Sequence, residues 1–273
     1  MDYKIIASDL DGTLLCGKDL VSPENWKAIA ELKEQGVHFV PASGRAYMEM
    51  PLCLRESPLI RYYIYSDGAA IYDKETDTSY TLPLPKKKGH EVLDRIFQYP
   101  ITIMLHANTQ AYVEAAHHSP EGYAQYGLNA LWTEFALAYD NPVENLQSFA
   151  YTLEQIDSLV PFFRNKADRE LCKALFLQDP ELLVAETDPN NLEIFSATAG
   201  KGNALMYLAD ILGVDRKATI AVGDSTNDST MIQAAGLGLA MANSVPELAA
   251  IADRTVCHYK EHVVKYIQEN IIK

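Results

Sequence analysis

Hydrophobic and polar positions follow two rhythms along the chain. An apolar run from Lys4 to Ser8 stops at the polar phrase Asp9-Leu10-Asp11-Gly12-Thr13, which reads as a buried strand ending in a turn. Ser22-Pro23-Glu24 then supplies an N-cap and a proline at the first helical position. Trp26, Ile29 and Leu32 fall near one face of the helix this begins, which runs to Gly36. "VHFVPAS" from Val37 predicts a second strand, "GRAYMEM" the opening of a second helix, and "YYIYSDGAAIYD" a pair of strands broken by an Asp-Gly turn.

The same alternation returns near the C-terminus. "KGNALMYLADILG" from Lys201 is an amphipathic helix closed by Gly213, "ATIAVGD" a buried strand, "NDSTMIQAAG" a helix and "LGLAMAN" a further strand. Strand, helix, strand in this order implies a parallel sheet with right-handed crossovers. The two terminal portions, residues 1–81 and 191–273, read as one α/β domain split in sequence.

Residues 82–190 have another texture. "ITIMLHA", "QAYVEAA" and "KALFLQD" read as strands and "EQIDSLVPFFR" as a helix containing a proline, the mixed order of an inserted α+β domain. The flanks, "LPLPKKKG" and "ETDPNN", have the proline, asparagine and charge of linkers, and Lys86 to Lys88 read as a solvated linker charge run.

Composition narrows the function classes. Of 273 residues, 48% are hydrophobic, enough for a substantial core. The formal charge of −14 argues against nucleic-acid and anionic-membrane partners, whose phosphates are met by basic surfaces. Cys16, Cys53, Cys172 and Cys257 are widely spaced and include no Cys-x-x-Cys pair, as expected of reduced thiols in a cytoplasm. No run approaches the ~20 apolar residues of a spanning helix.

Ligands of open parallel sheets bind beyond the carboxyl ends of the strands. Three polar clusters fall there: "SDLDGT", "ASGR" at Ala42 to Arg45, and "VGDSTND" at Val222 to Asp228. Carboxylates brought together repel unless a cation neutralises them, and an all-oxygen set with few ligands suits Mg²⁺. Asp9, Asp11 and Asp224 are such a set; Ser43, Lys201 and the turn amides after Asp9 suit phosphate oxygens. Phosphoryl transfer is the chemistry these groups fit.

As an ordered set, "DLDGTL", "SGR", the lysine of "GKGNAL" and "GDSTND" resemble the four motifs of the haloacid dehalogenase superfamily of phosphatases. The arrangement resembles its Cof-type branch, which carries a large cap (type IIB) between the second and third motifs. The resemblance implies a Rossmann-like parallel-sheet core flanked by helices with an α+β cap. It makes Asp9 the nucleophile that forms an aspartyl-phosphate, and Asp11 the acid and then the base. Mg²⁺ would be held by Asp9, Asp224 and the backbone oxygen of Asp11. Ser43, Lys201, Asn227 and the amides of Leu10 and Gly44 would hold the phosphoryl oxygens, with Asp228 orienting Lys201. Arg45 and the "HHSPEGY" stretch are candidates for contacts to the leaving group. The expectation is a cytoplasmic phosphatase of small phosphorylated metabolites, sugar phosphates first; a phosphomutase and a non-catalytic phosphate-binding regulator are the alternatives. Where the family has Asn-Gly after the third strand, this chain has Ser66-Asp67-Gly68.

Overall fold

The computed structural model describes residues 2–17 and 19–272, with only the backbone described at position 131. Its contacts divide into two compact units. The first comprises Met1–Gly44, Met50–Tyr80 and Gly200–Lys273; the second comprises Arg45–Glu49 and Thr81–Ala199.

A five-stranded parallel sheet forms the middle of the first unit. The strand Ile5–Ser8 lies at its centre, between Thr219–Gly223 and His38–Pro41; Leu237–Ala240 and Arg254–Thr255 follow beyond Thr219–Gly223. The central strand is buried throughout because helices cover a parallel sheet. Ile5, Ala7, Val40 and Ala221 pack with Leu205 and Leu208 of the helix Lys201–Ile211 and with Met231 and Ile232 of the helix Ser229–Ala234. The first helix, Pro23–Glu34, begins as expected: the Ser22 side chain accepts from the amide of Asn25 at 3.2 Å, and proline occupies the first turn.

Register makes the strand ends level. Ser8 is paired with Val222 on one side and with Pro41 on the other, so the residues that follow each strand emerge together. The ladder continues one step further: Asp9 N–H donates to Val222 O at 3.0 Å, Ala42 N–H to Ser8 O at 2.8 Å, and Ser43 N–H to Ile64 O at 3.0 Å. Tyr62–Tyr65 and Ala70–Asp73 form the expected antiparallel pair, joined through Ser66-Asp67-Gly68.

The second helix expected from "GRAYMEM" is reduced to a single 3₁₀ turn, Tyr47–Glu49, followed by the four-residue helix Leu52–Arg55. Pro51 separates the two because it cannot donate a helical hydrogen bond.

The second unit is a six-stranded sheet in the order Leu182–Ala185, Glu193–Ser196, Ser158–Phe163, Ile101–Ala107, Gln110–Glu114, Asn141–Val143. All neighbours are antiparallel except the last pair. Two expectations are exchanged here. "EQIDSLVPFFR" contains a strand, and "KALFLQD" lies largely in the helix Lys166–Phe176. Ser158–Phe163 is buried on both faces, Leu159 and Phe163 in one cluster and Val160 and Phe162 in the other, so no alternation marks it as a strand. Pro161 brings no N–H to this interior strand, but its carbonyl still accepts from Leu192 N–H just ahead of the neighbouring strand. Lys88 is likewise no linker charge: within the helix Lys86–Ile96 it is paired with Asp179 and Glu181, each at 2.8 Å.

The unit divide falls at Ala199-Gly200 rather than at Asn190, because the strand Glu193–Ser196 is hydrogen-bonded into the second sheet.

Some buried polar groups of the second unit pair with one another. Glu49 lies 3.3 Å from His106 Nε2, whose Nδ1 is 2.9 Å from Ser158 Oγ, and Tyr123 O–H donates to Asp140 at 3.4 Å. Burial raises the Asp157 carboxyl from an ordinary value of 3.8 to about 7. The folded form therefore binds a proton that the unfolded chain releases, and stability is lost as pH rises from 3.8 towards about 7. Asp157→Asn should remove that loss, raising unfolding free energy at about pH 8 by on the order of 2–4 kcal/mol, with little change near pH 4. Urea unfolding at the two pH values checks this, and a variant weakened at both would refute it.

Candidate active site

The site is built on the first unit, at the carboxyl ends of its strands. Asp9 follows the central strand with extended backbone, and the chain then turns through Leu10–Leu14, closed by Leu15 N–H on Leu10 O at 2.9 Å. Gly12 makes this turn possible. Its φ is +80°, and a Cβ there would lie 2.3 Å from Asp224 Oδ2. The turn thus brings the first motif against the carboxylate that follows the strand Thr219–Gly223.

Lys201 is the pivot of the cluster. It is completely buried at the start of its helix, and its Nζ donates to Asp9 Oδ1 and Asp228 Oδ1, both at 2.7 Å. Burial opposes the ammonium charge, but Asp228 and Asp9 outweigh it and raise the lysine well above its ordinary value. Asp228 is fully engaged: its other oxygen accepts from the amides of Asp224 and Ser225 at 2.9 and 3.0 Å. It is therefore a fixed counter-charge that orients the lysine.

Asp9 and Asp224 are held differently. Burial, with Asp228 as the next cause, raises Asp9 well above the carboxylate range and Asp224 to about 7. Thr13 O–H donates to Asp224 Oδ1 at 3.3 Å, and Asn243 Nδ2 lies 3.4 Å from Oδ2 while donating to Gly12 O at 2.8 Å.

Oxygens of Asp9, Asp224 and Asp228 can lie within 4.8 Å of one another, a set of acidic donors crowded enough to favour a cation. An all-oxygen group of this size fits Mg²⁺. The carboxylate of Asp11 is not in this group, and what the sequence reading assigns to the metal there is a backbone oxygen. Asp11 is instead exposed beside the cluster, where its charge adds to the rise at Asp224.

Of the remaining sequence candidates, Leu10 and Ser43 are buried in the first unit and Gly44 is half-buried. Asn227 Nδ2 donates to Asp67 Oδ1 at 3.0 Å. Arg45 falls in the second unit, its guanidinium 4.4 Å above the Phe135 ring and donating to Glu49 O at 3.2 Å.

Sequence reasoning missed Thr13, Asn243 and Asp67. The first two had a signal available: Thr13 lies within the first motif's turn, and Asn243 lies just past the end of the strand Leu237–Ala240.

Residues 6–267 match the family of haloacid dehalogenase-like hydrolases. The chain belongs to that family. Phosphatase YwpJ of Bacillus subtilis is 27% identical over 98% of this chain and 100% of its own length. The 5-amino-6-(5-phospho-D-ribitylamino)uracil phosphatase YcsE of the same species is 28% identical over 100% of this chain and 97% of its own. A solved haloacid dehalogenase-like hydrolase from B. subtilis superposes with a TM-score of 0.83 at 26% identity, covering 98% of this chain and 100% of that one. The protein is a phosphatase of this family, and the family match runs through both units, the inserted one included.

Proposed function

We propose that this haloacid dehalogenase-like phosphatase is Mg²⁺-dependent and hydrolyses small phosphorylated metabolites, sugar phosphates first, through an aspartyl-phosphate on Asp9. The observation that carries the reading is the buried Lys201 bridging Asp9 and Asp228 at 2.7 Å, with Asp224 alongside. A fixed ammonium touching one carboxylate oxygen is suited to balancing phosphoryl charge, and the other oxygen remains for attack.

In this reading Asp9 attacks phosphorus as the ester P–O bond breaks, and Asp11 gives its proton to the departing alkoxide. Asp11 then takes a proton from the water that attacks the acyl phosphate, returning Asp9 as a carboxylate. Its exposure, against the burial of Asp9, gives the two carboxyls the different environments this division of labour needs. Ser43, Asn227 and the amides of Leu10 and Gly44 would hold the phosphoryl oxygens, and Asp228 keeps Lys201 aimed. Bound at Asp9, Asp224 and the Asp11 carbonyl, Mg²⁺ would neutralise charge shared by these carboxylates and the phosphoryl group.

The preference for sugar phosphates draws on a relative named for an ester of a ribityl chain. A cytoplasmic setting is part of the same reading, supported by four free cysteines and an acidic chain; among the described residues no helix is long and apolar enough to cross a membrane.

The test is phosphate release from sugar phosphates, nucleotides and phosphorylated cofactors, with Mg²⁺ and with chelator. Release from sugar phosphates that disappears with the metal is expected; release unaffected by chelator, or none from the whole panel, would overturn the proposal.

A further inference from the structure

The turn Ser66-Asp67-Gly68 carries more strain and more buried polarity than joining two strands requires. Ser66, Asp67 and Gly68 all have positive φ, at 48°, 53° and 81°. Such backbone persists where the surroundings enforce it, often beside functional sites. Both polar side chains are fully buried, and Ser66 Oγ and Asp67 Oδ2 have no hydrogen-bond partner among the described residues. A buried carboxylate oxygen left unpaired is costly, and it calls for a donor.

The neighbours of Asp67 say what that donor could be. Its amide donates to the carbonyl of Ser43 at 3.1 Å, its Oδ1 accepts from Asn227 at 3.0 Å, and its charge is felt by Lys201. All three residues are assigned above to the phosphoryl oxygens. The charged group seen to interact with it is Lys201, from the helix Lys201–Ile211, and that lysine is bound in turn to Asp228, from the turn after the strand Thr219–Gly223, and to Asp9, from the end of the central strand. A single ammonium thus serves several carboxylates, and Asp67 adds a charge where a dianionic phosphoryl group is to be received.

We infer that Asp67 makes phosphoryl binding proton-coupled: the group is held with one proton shared between Asp67 Oδ2 and a phosphoryl oxygen. The proton comes from solvent when the ligand arrives as the dianion, or with the ligand when it arrives as the monoanion, and no covalent bond changes. The site therefore selects the monoanion, and Asp67 is a specificity-determining residue of the phosphatase. This rests on the phosphoryl-site reading above.

Calorimetry of inorganic phosphate binding to the full chain in saturating Mg²⁺ tests it, run at about pH 8 in buffers of differing ionisation heat so that protons are counted. Native protein should take up about one proton more per phosphate than Asp67→Asn, and its affinity should fall roughly tenfold more per pH unit above phosphate's second ionisation. Asparagine keeps the left-handed backbone and the bond from Asn227, and protons exchanged at Asp9 and Asp224 are common to both proteins. Should that variant not fold, Asp67→Gly, which the same φ accepts, carries the comparison. Equal proton counts would overturn the inference and leave the phosphatase reading standing; no phosphate binding by the native protein would overturn both.

Discussion

Asparagine in place of Asp9 is expected to reduce phosphate release by on the order of 10⁴-fold or more while leaving the fold at least as stable as the native one. The two halves of this result have separate causes. An amide oxygen is a poor nucleophile and cannot form the acyl phosphate, so activity is lost at the first step. Stability behaves differently because the native carboxyl is buried and faces Asp228 and Asp224, which together raise it well above its ordinary value. A group raised in this way has its charge disfavoured by folding, and the penalty grows as pH rises above the unfolded value, so at neutral pH removing the charge relieves it. Lys201 keeps its second partner, Asp228. Phosphate release and thermal unfolding, the latter in chelator, measure the two halves. Native turnover in the variant would exclude Asp9 as nucleophile, and a large drop in unfolding temperature would mean that its pairing with Lys201 outweighs its burial.

The first unit was largely readable because its candidate site residues sit where local pattern changes. Asp9 and Asp224 each terminate an apolar run, Ser43 follows one closely, and Lys201 opens an amphipathic helix. Parallel register then brings these residues level without further information. The second unit was harder for the same physical reason that makes it stable. Its interior strands are covered on both faces, so Leu159–Phe163 presents an unbroken run without alternation, which reads as a helix containing a proline. The helix Lys166–Phe176 buries Arg169, Cys172 and Phe176 but leaves Leu175 and Leu177 exposed around its end, and that apolar stretch looked like a strand. Asp67 was legible as a turn residue and not as part of a site. What gives it meaning is a hydrogen bond from Asn227, 160 residues away in sequence, together with an unpaired oxygen visible only in three dimensions.

Lys201→Met should cost both activity and fold. Methionine fills much of the same volume but leaves Asp9 and Asp228 facing each other in a buried site without their shared cation. Removing one member of a buried ionic cluster costs about 3–5 kcal/mol, because the desolvation of the remaining charges is no longer offset. The lysine is raised above its ordinary value, so its contribution is fully present at neutral pH and is lost only as pH climbs through the folded value. Urea unfolding at about pH 7 should therefore show a clear fall in midpoint, with phosphate release reduced at least about a hundredfold. The double variant Asp9→Asn with Lys201→Met discriminates the cause. If stranded carboxylates are what destabilise the single variant, neutralising one should restore part of the loss, a coupling of roughly 0.5–3 kcal/mol. Additive losses would instead assign the cost to packing around the methionine. In either case the lysine fixes the site's shape by holding together two carboxylates that would otherwise repel, and the same contact leaves an ammonium beside the proposed nucleophile, so structural and chemical roles rest on the same pair of 2.7 Å bonds.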